Sequence, residues 1–306
     1  MKNILVTGSL AYDRISVFKD KFSNHIMPDK IHQLNVCFTV DDMKVEHGGT
    51  AMGIAYNLAL MAESAYVFAT LGHDGGPLLK TLEDMGTKTD HVKKIDDLIT
   101  ANCTIMTDLS DNQIIAFCDG ALARAHESTF EQFEGEAFMA IISPNELTAM
   151  QRCAQWCREK NIPFIADPGQ RIPIFSKEEL IQFIQKAHIL IANDYEWELI
   201  KQKTGWTEES VLYHVTQLII TLGERGSRII SKEGVLEIPP VLVENPVDPT
   251  GAGDAYRAGL IYGLKNDHPL ERSAQIGAWL AAKCVMQKGT QNHKIDLDDF
   301  ERYIKN

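Results

Sequence analysis

A glycine-rich stretch from Asp248 to Gly259, with the sequence DPTGAGDAYRAG, places three small residues directly before an acid. The residues that follow have apolar positions at helical spacing, so the acid is predicted to lie in the first turn of a helix. The first N–H groups of a helix have no intrahelical partner and lie at the positive end of its dipole. Because Gly251, Ala252 and Gly253 are small, an anion can reach those N–H groups, while Asp254 can accept a proton beside it. The stretch therefore suits phosphoryl transfer, and a plain glycine-rich turn with a capping acid is the alternative.

The elements that must hold this stretch are predicted from short apolar runs and amphipathic runs that alternate along the chain. The predicted strands are NILVTG near the start and the runs at 65–70, 137–143, 163–168, 188–193 and 217–222. The predicted helices are at 49–62, 77–85, 145–160, 177–185, 195–204 and 208–215. Strands that alternate with helices over this length indicate an α/β protein with a mostly parallel sheet covered by helices.

Two regions interrupt this alternation. Residues 12–46 contain the strand-like runs RISVF, NVCFT and MKVEH without a clear helix. Residues 100–118 contain two more such runs on either side of Ser110-Asp111-Asn112, which is a good hairpin turn. We expect these regions to pair into a small antiparallel sheet apart from the main one.

Length and composition exclude several classes of protein. The 306 residues contain no internal repeat and no long linker, which favours one large domain over the whole chain. A net charge of −12 argues against general binding to nucleic acid or to an anionic membrane. No apolar run approaches the roughly 20 residues of a membrane-spanning helix. The six cysteines include no C-x-x-C pair and are predicted to be thiols in a reducing cytoplasm.

Two further stretches could position a substrate that carries hydroxyl groups. Asp13 follows the first predicted strand, and a carboxylate suits a vicinal diol because each oxygen can accept one O–H. A turn acid is the alternative. Gly48 and Gly49 precede a predicted helix, where a close contact between helix and sheet would also explain them.

Three stretches follow strands at the predicted carboxyl edge of the sheet. Asn193 and Glu196 have the spacing of a capping box. The run from Thr221 to Gly226 has the composition of a turn between two strands. Asp167 ends the strand at 163–168, where ligands bind in open α/β sheets. Arg257, one turn after Asp254, could reach a transferring phosphate or pair with a surface acid.

In their order along the chain, these stretches resemble the motifs of the ribokinase/PfkB family of sugar and nucleoside kinases. At least five motifs match between residue 8 and about residue 290, and DPTGAGDAYRAG resembles the family's C-terminal signature. The resemblance implies a ribokinase-like three-layer α/β/α fold with a mostly parallel central sheet. It also implies a small β-sheet lid formed by about 12–46 and 100–118, within a single kinase domain spanning 1–306.

The resemblance assigns roles at the reacting centre. In the family, a Gly-Ala-Gly run holds the transferring phosphoryl group and the next Asp is the catalytic base, which implies these roles for Gly251, Ala252, Gly253 and Asp254. On the substrate side it implies that Asp13 accepts hydrogen bonds from two sugar hydroxyls and that Gly48 and Gly49 approach the sugar.

The resemblance also implies a nucleotide side. The predicted ATP contacts are Asn193, Thr221, Gly223, Gly226 and Arg257. Glu196 completes the family's N-x-x-E element, which is tied to Mg²⁺; a lone carboxylate suffices because Mg²⁺ keeps several waters. Near Lys283, Lys288 and Gly289-Thr290 the family coordinates a monovalent cation such as K⁺ through backbone oxygens.

Two positions depart from the family pattern near the sugar. Gly53 stands where the family has an asparagine, and Ser9 stands where adenosine kinases usually have one. Asn57, one helical turn after Gly53, is interpreted as a substitute contact to the substrate.

The strings GSLAYDRI, IAYNLAL, DPGQ, ANDYE and GDAYRAG most resemble bacterial nucleoside kinases of the adenosine-kinase-like branch. The implied reaction is direct in-line transfer from MgATP to the 5′-hydroxyl of adenosine or a related nucleoside, by a cytoplasmic monomer or homodimer. A sugar kinase acting on ribose or fructose is the alternative. A catalytically weak nucleotide-binding regulator is disfavoured by the intact Asp254. A dehydrogenase is disfavoured because G-x-G-x-x-G does not follow the first strand.

Overall fold

The computed structural model describes residues 2–110 and 112–305, so Asp111 of the predicted hairpin turn lies outside the described residues. Within these ranges the strands are β1 Asn3–Thr7, β2 Ala11–Val17, β3 Met43–Gly48, β4 Ala65–Gly72, β5 Val92–Ile95, β6 Ala101–Thr107, β7 Gln113–Cys118, β8 Ala137–Ile142, β9 Phe164–Ala166, β10 Ile189–Asn193, β11 Gln217–Thr221, β12 Ser227–Ser231 and β13 Gly234–Ile238. The α-helices are α1 Thr50–Leu60, α2 Gly76–Asp84, α3 Leu147–Lys160, α4 Lys177–Ile184, α5 Asp194–Thr204, α6 Ala252–Lys265, α7 Leu270–Val285 and α8 Leu297–Lys305.

The main sheet is mostly parallel, as the alternation of strands and helices predicts. In the described part of the chain it has nine strands, in the order β13-β12-β11-β10-β9-β8-β1-β4-β5. Every neighbouring pair from β11 to β5 is parallel, and only the β11-β12 and β12-β13 pairs are antiparallel. The carboxyl ends of β1, β8, β9, β10 and β11 therefore meet along one edge, which is where open α/β sheets bind ligands.

Helices cover both faces of this sheet. Successive side chains of a strand point to opposite faces, so a strand that is buried along its length needs cover on both sides. Ile4 and Val6 of β1 belong to the core that also includes side chains of α1, α6 and α7. Leu5, between them, belongs to the opposite core with side chains of α3, α4 and α5. The result is the three-layer α/β/α arrangement that was predicted.

The two regions that interrupt the alternation form a second sheet apart from the main one, as predicted, but this sheet is mixed and not purely antiparallel. Its strand order is β3-β2-β6-β7, and it shares no strand with the main sheet. The β2-β3 and β6-β7 pairs are antiparallel, whereas β2 and β6 are parallel. Because β2 is bonded to both β3 and β6, the early and the later region belong to one continuous element.

The predictions were wrong or incomplete at several places, and the strand β13 and the helices α7 and α8 were not predicted. The run at 208–215 contains only a 3-10 turn at Ser210–Tyr213, where helix was predicted. The run NVCFT at 35–39 makes no strand and follows a 3-10 segment at Pro28–Gln33. The strand β5 was not predicted, because its sequence VKKI is too polar to stand out as an apolar run.

Among the described helices, none combines the length and the apolar character that crossing a bilayer requires.

Candidate active site

The glycine-rich stretch forms the N-terminus of α6, as predicted. Gly251 is the N-cap residue with φ of 82°, a left-handed conformation that favours glycine. The backbone N–H groups of Gly251, Gly253 and Asp254 have no acceptor among the described residues, whereas Ala252 donates to the Pro249 carbonyl at 3.2 Å. Three free N–H groups at a helix N-terminus can bind an anion. Ala252 thus contributes less to this cradle than predicted.

The Asp254 carboxylate lies beside these N–H groups and is partly buried. It makes no hydrogen bond within residues 2–110 and 112–305, so both oxygens are available to a substrate. Burial raises the pKa of the Asp254 carboxyl to about 7; Arg257 opposes this shift, and Asp167 and Asp13 add to it. A carboxyl group with a pKa near neutrality can accept a proton at physiological pH.

Arg257 pairs with a buried acid, whereas one predicted alternative was a surface acid. Its Nε and Nη2 donate to the two carboxylate oxygens of Asp167 at 2.7 and 2.6 Å, and its Nη1 donates to the Gly253 carbonyl at 3.0 Å. Ser143 also donates to Asp167, at 2.9 Å. The guanidinium therefore braces the first turn of α6, and each of its nitrogen atoms has a partner in the protein. A direct contact with ATP, as predicted, is not needed to explain this arginine.

Asp13 lies in β2 with its carboxylate against the Gly48 backbone. A Cβ atom at Gly48 would lie 2.3 Å from Asp13 Oδ2, so only glycine leaves room for this carboxylate. Burial raises the pKa of Asp13 to about 6, and the nearby Glu46 adds to the shift. The Asp13 carboxylate makes no hydrogen bond to another described residue. The charge of Asp13 contributes to the raised pKa of Asp254, so the two carboxylates are close enough to interact.

Gly49 and Ser9 form the junction between β1 and α1. Gly49 has φ of 96°, and a Cβ atom there would lie 2.4 Å from the Ser9 carbonyl oxygen. The Ser9 hydroxyl accepts a hydrogen bond from the Thr50 N–H at 3.1 Å. Gly49 is therefore explained by the helix–sheet contact, and Ser9 caps the first turn of α1 from the loop between β1 and β2.

Asn57 does not reach the substrate side. It is fully buried, its Nδ2 donates to the Gly53 carbonyl at 2.9 Å, and its Oδ1 lies 2.8 Å from Nε2 of His293. Burial lowers the pKa of His293 to about 4, so the ring is neutral and can donate from Nε2. Asn57 thus ties α1 to the C-terminal segment in place of the predicted substrate contact.

The nucleotide side begins at the end of β10. Asn193 and Glu196 form the predicted capping box: the Glu196 N–H donates to Asn193 Oδ1 at 2.7 Å, and the Asn193 N–H donates to Glu196 Oε2 at 2.8 Å. The pKa of Glu196 is raised by burial and by Asp167, and lowered by Arg257. Glu196 therefore faces the same group of charges as Asp254.

The turn after β11 leads into β12, as predicted. Gly223 and Gly226 have φ of 61° and 86°, and a Cβ atom at Gly226 would lie 2.1 Å from the Ile238 carbonyl. Thr221 ends β11 and pairs with Ser227 across the turn. These residues lie two strands from Asp167, because β9, β10 and β11 are consecutive in the sheet.

The segment proposed for a monovalent cation links α6 to the small sheet. Asp248 accepts hydrogen bonds from the N–H groups of Thr250 and Gly289, both at 2.9 Å. Thr290 Oγ1 donates to the His47 carbonyl in β3 at 2.9 Å. Lys283 pairs with Asp299 on α8 at 3.2 Å. Sequence reasoning missed His293 and the role of Asp248, because each acts through a distant partner.

Comparison with known proteins agrees with this geometry. The family model "pfkB family carbohydrate kinase" matches residues 1–296. The chain belongs to the pfkB family. A nucleoside kinase of Thermoplasma acidophilum is 30% identical over 87% of this chain and 87% of its own, and one of Methanocaldococcus jannaschii is 28% identical over the same shares. The solved structure of Burkholderia thailandensis nucleoside kinase in complex with inosine has a TM-score of 0.89 and 34% identity, covering 99% of this chain and 97% of that chain.

The family membership confirms the predicted fold and the predicted class of enzyme, an ATP-dependent kinase. The predicted assignment of individual site residues rests on the geometry described above.

Proposed function

We propose that this kinase transfers the γ-phosphoryl group of ATP directly to the 5′-hydroxyl of a nucleoside, with Asp254 as the general base. The observation that carries the proposal is the pairing of an unbonded carboxylate, with a pKa of about 7, with the free N–H groups at the start of α6. The first can accept a hydroxyl proton and the second can stabilise negative charge on the phosphoryl oxygens.

The reaction needs one bond to form and one to break at phosphorus. The 5′-oxygen attacks the γ-phosphorus, the bond to the β–γ bridging oxygen breaks, and ADP leaves. Asp254 accepts the proton that the hydroxyl group loses. Asp13 holds the ribose by accepting hydrogen bonds from two hydroxyl groups, which fixes the 5′-oxygen near Asp254.

Mg²⁺ belongs to this proposal as the partner of ATP, and the residues present fit it. One oxygen of Glu196 is used by the capping box and the other is not, and Asp167 and Asp254 add negative charge nearby. Mg²⁺ binds through few carboxylates and retains waters, so Glu196 would hold its hydration shell. When bound, the ion neutralises charge on the transferring phosphate. For K⁺, the backbone near Lys283, Lys288 and Gly289-Thr290 remains the proposed location.

The nucleoside is proposed over a simple sugar because the relatives reported above are named nucleoside kinases and one of them is in complex with inosine. A sugar kinase acting on ribose or fructose remains the alternative. We also propose that the small sheet closes over the substrate as a lid of a single kinase domain. Such closure would exclude the water that could otherwise hydrolyse ATP.

The experiment is a screen of ATP consumption with adenosine, inosine, guanosine, cytidine, ribose and fructose. We expect a nucleoside to have a kcat/KM well above that of ribose, because burial of the base adds contacts that a free sugar lacks. Ribose or fructose as the best substrate would assign the protein to the sugar kinases. No single-turnover transfer to any of them would exclude catalysis in favour of a regulatory role.

A further inference from the structure

The register of the small sheet aligns a row of side chains with Asp13. Asp13 is paired with Glu46 on one side and Cys103 on the other, and Cys103 is paired with Phe117. Residues directly opposite each other in neighbouring strands point to the same face. In agreement, the Asp13 charge contributes to a raised pKa at Cys103. Phe117 therefore lies on the substrate face, two strands or about 10 Å from Asp13.

Phe117 is 42% exposed, so part of its side chain is available for contact with a ligand. The guanidinium carbon of Arg171 lies 5.8 Å from the centre of this ring, within the range of a cation–π contact. Arg171 comes from the 3-10 turn Gly169–Arg171 that follows β9 in the main sheet. This contact joins the 3-10 turn after β9 of the main sheet to β7 of the small sheet.

Arg171 has donors that the protein does not use. Its side chain is only 12% exposed, and Nη2 donates to Asp119 Oδ1 at 2.6 Å. Its Nε is buried and has no partner, and Nη1 has none among the described residues. A buried donor without an acceptor is unfavourable unless a ligand supplies one. Neither the proton transfer nor the phosphate cradle uses this arginine.

A purine base carries groups that match this pair. An aromatic ring stacks on any base, whereas arginine binds the O6 and N7 acceptors of a 6-oxopurine through two N–H donors. Adenine also has the N7 acceptor, but it carries an N6 amino group where a 6-oxopurine has O6. This amino group is a donor, so it cannot accept a hydrogen bond from arginine.

We propose that Phe117 and Arg171 form the base subsite of this kinase and select 6-oxopurine nucleosides over adenosine. Phe117 provides the stacking surface, and Arg171, held by Asp119, binds the O6/N7 edge. The proposal rests on the proposed function, because it assumes that Asp13 holds the ribose.

The first test compares inosine, adenosine and purine riboside, which lacks the 6-oxygen, with the wild-type enzyme. One bidentate contact is expected to give inosine an advantage of about tenfold or more in kcat/KM over both analogues. If kcat/KM for adenosine or for purine riboside equals that for inosine, the proposal is overturned while the kinase function stands. Phosphorylation of pentoses alone would instead refute the proposed function.

The second test separates the two side chains. Arg171→Met is expected to lower kcat/KM for inosine to within about threefold of the value for adenosine, with the KM for ATP unchanged. Arg171→Lys keeps the positive charge but lacks the paired N–H donors of arginine, so it should not restore the preference for inosine over adenosine. Phe117→Leu should lower kcat/KM for inosine and for adenosine by the same factor. Equal losses for both nucleosides in Arg171→Met would show that the arginine only supports the fold. Because the wild-type comparison needs no variant, a variant that fails to fold leaves the proposal testable.

Discussion

Replacement of Gly53 by alanine is expected to displace the catalytic carboxylate. A Cβ atom at Gly53 would lie 2.4 Å from Asp254 Oδ2 and 2.9 Å from both Cβ and Cγ of Asp254. Non-bonded carbon and oxygen atoms pack at about 3.5 Å, so Oδ2 must retreat by about 1 Å. Rotation of the carboxylate alone does not relieve the contact, because the Cβ atom of Asp254 is also too close.

The cost is predicted from this displacement. A misplacement of about 1 Å at a reacting group lowers the rate by about 10²-fold, so we expect kcat to fall about 100-fold. The same contact also overpacks the interface between α1 and α6, which typically costs about 1–3 kcal/mol, and the helix preference of alanine over glycine offsets up to about 1 kcal/mol of this loss. The expected signature of Gly53→Ala is therefore a fall in kcat of about 100-fold in a protein that unfolds at a lower urea concentration but is still folded in the assay.

The assay is steady-state ADP release with saturating ATP and nucleoside, together with the midpoint of urea unfolding. Gly76→Ala is the matched control, because Gly76 begins α2 and a Cβ atom there meets nothing within 4 Å. That control should retain wild-type activity. If Gly53→Ala has a kcat within threefold of the wild type, the carboxylate of Asp254 does not need the position described here.

Further predictions concern the same site and the small sheet. Asp13→Ala should raise the KM for nucleoside far more than that for ATP and weaken discrimination against 2′- and 3′-deoxynucleosides; equal losses for both substrates would make Asp13 structural. Because Asp254 acts when deprotonated, kcat/KM should fall as the pH drops through about 7. Arg257→Met should move the midpoint of this fall in kcat/KM to higher pH, since Arg257 lowers the pKa of Asp254. Arg257→Lys should move the midpoint less. An unchanged midpoint in both variants would contradict this electrostatic account. Hydrogen exchange on addition of nucleoside should protect 11–17, 43–48, 101–107 and 113–118 together, whereas protection of one region alone would argue against a common lid.

The main architecture could be predicted because its signals are local. Short apolar runs between turn residues gave six strands of the main sheet, and the small residues before Asp254 indicated a helix N-terminus. The strand β5 was missed because its sequence VKKI is too polar to stand out, and a helix was wrongly predicted at 208–215, where the 3-10 turn Ser210–Tyr213 forms. In both segments tertiary contacts override the local signal.

The partners of the site residues could not be predicted, because they are distant in sequence. Arg257 and Asp167 are 90 positions apart, and Asn57 and His293 are 236 apart. A side chain that can serve a substrate can equally bond to another part of the chain. Only the fold shows that Asn57 and Arg257 are taken by protein partners while Asp13 and Asp254 are not.

The most direct test of the central claim is single-turnover phosphate transfer by Asp254→Asn. This change keeps the size of the side chain and removes the proton acceptor, so the rate with bound MgATP and inosine should fall by about 10²–10⁴-fold. The variant should still bind ATP, as measured by calorimetry, and its remaining rate should lose the pH dependence near 7. A rate within threefold of the wild type would contradict the assignment of Asp254 as the general base.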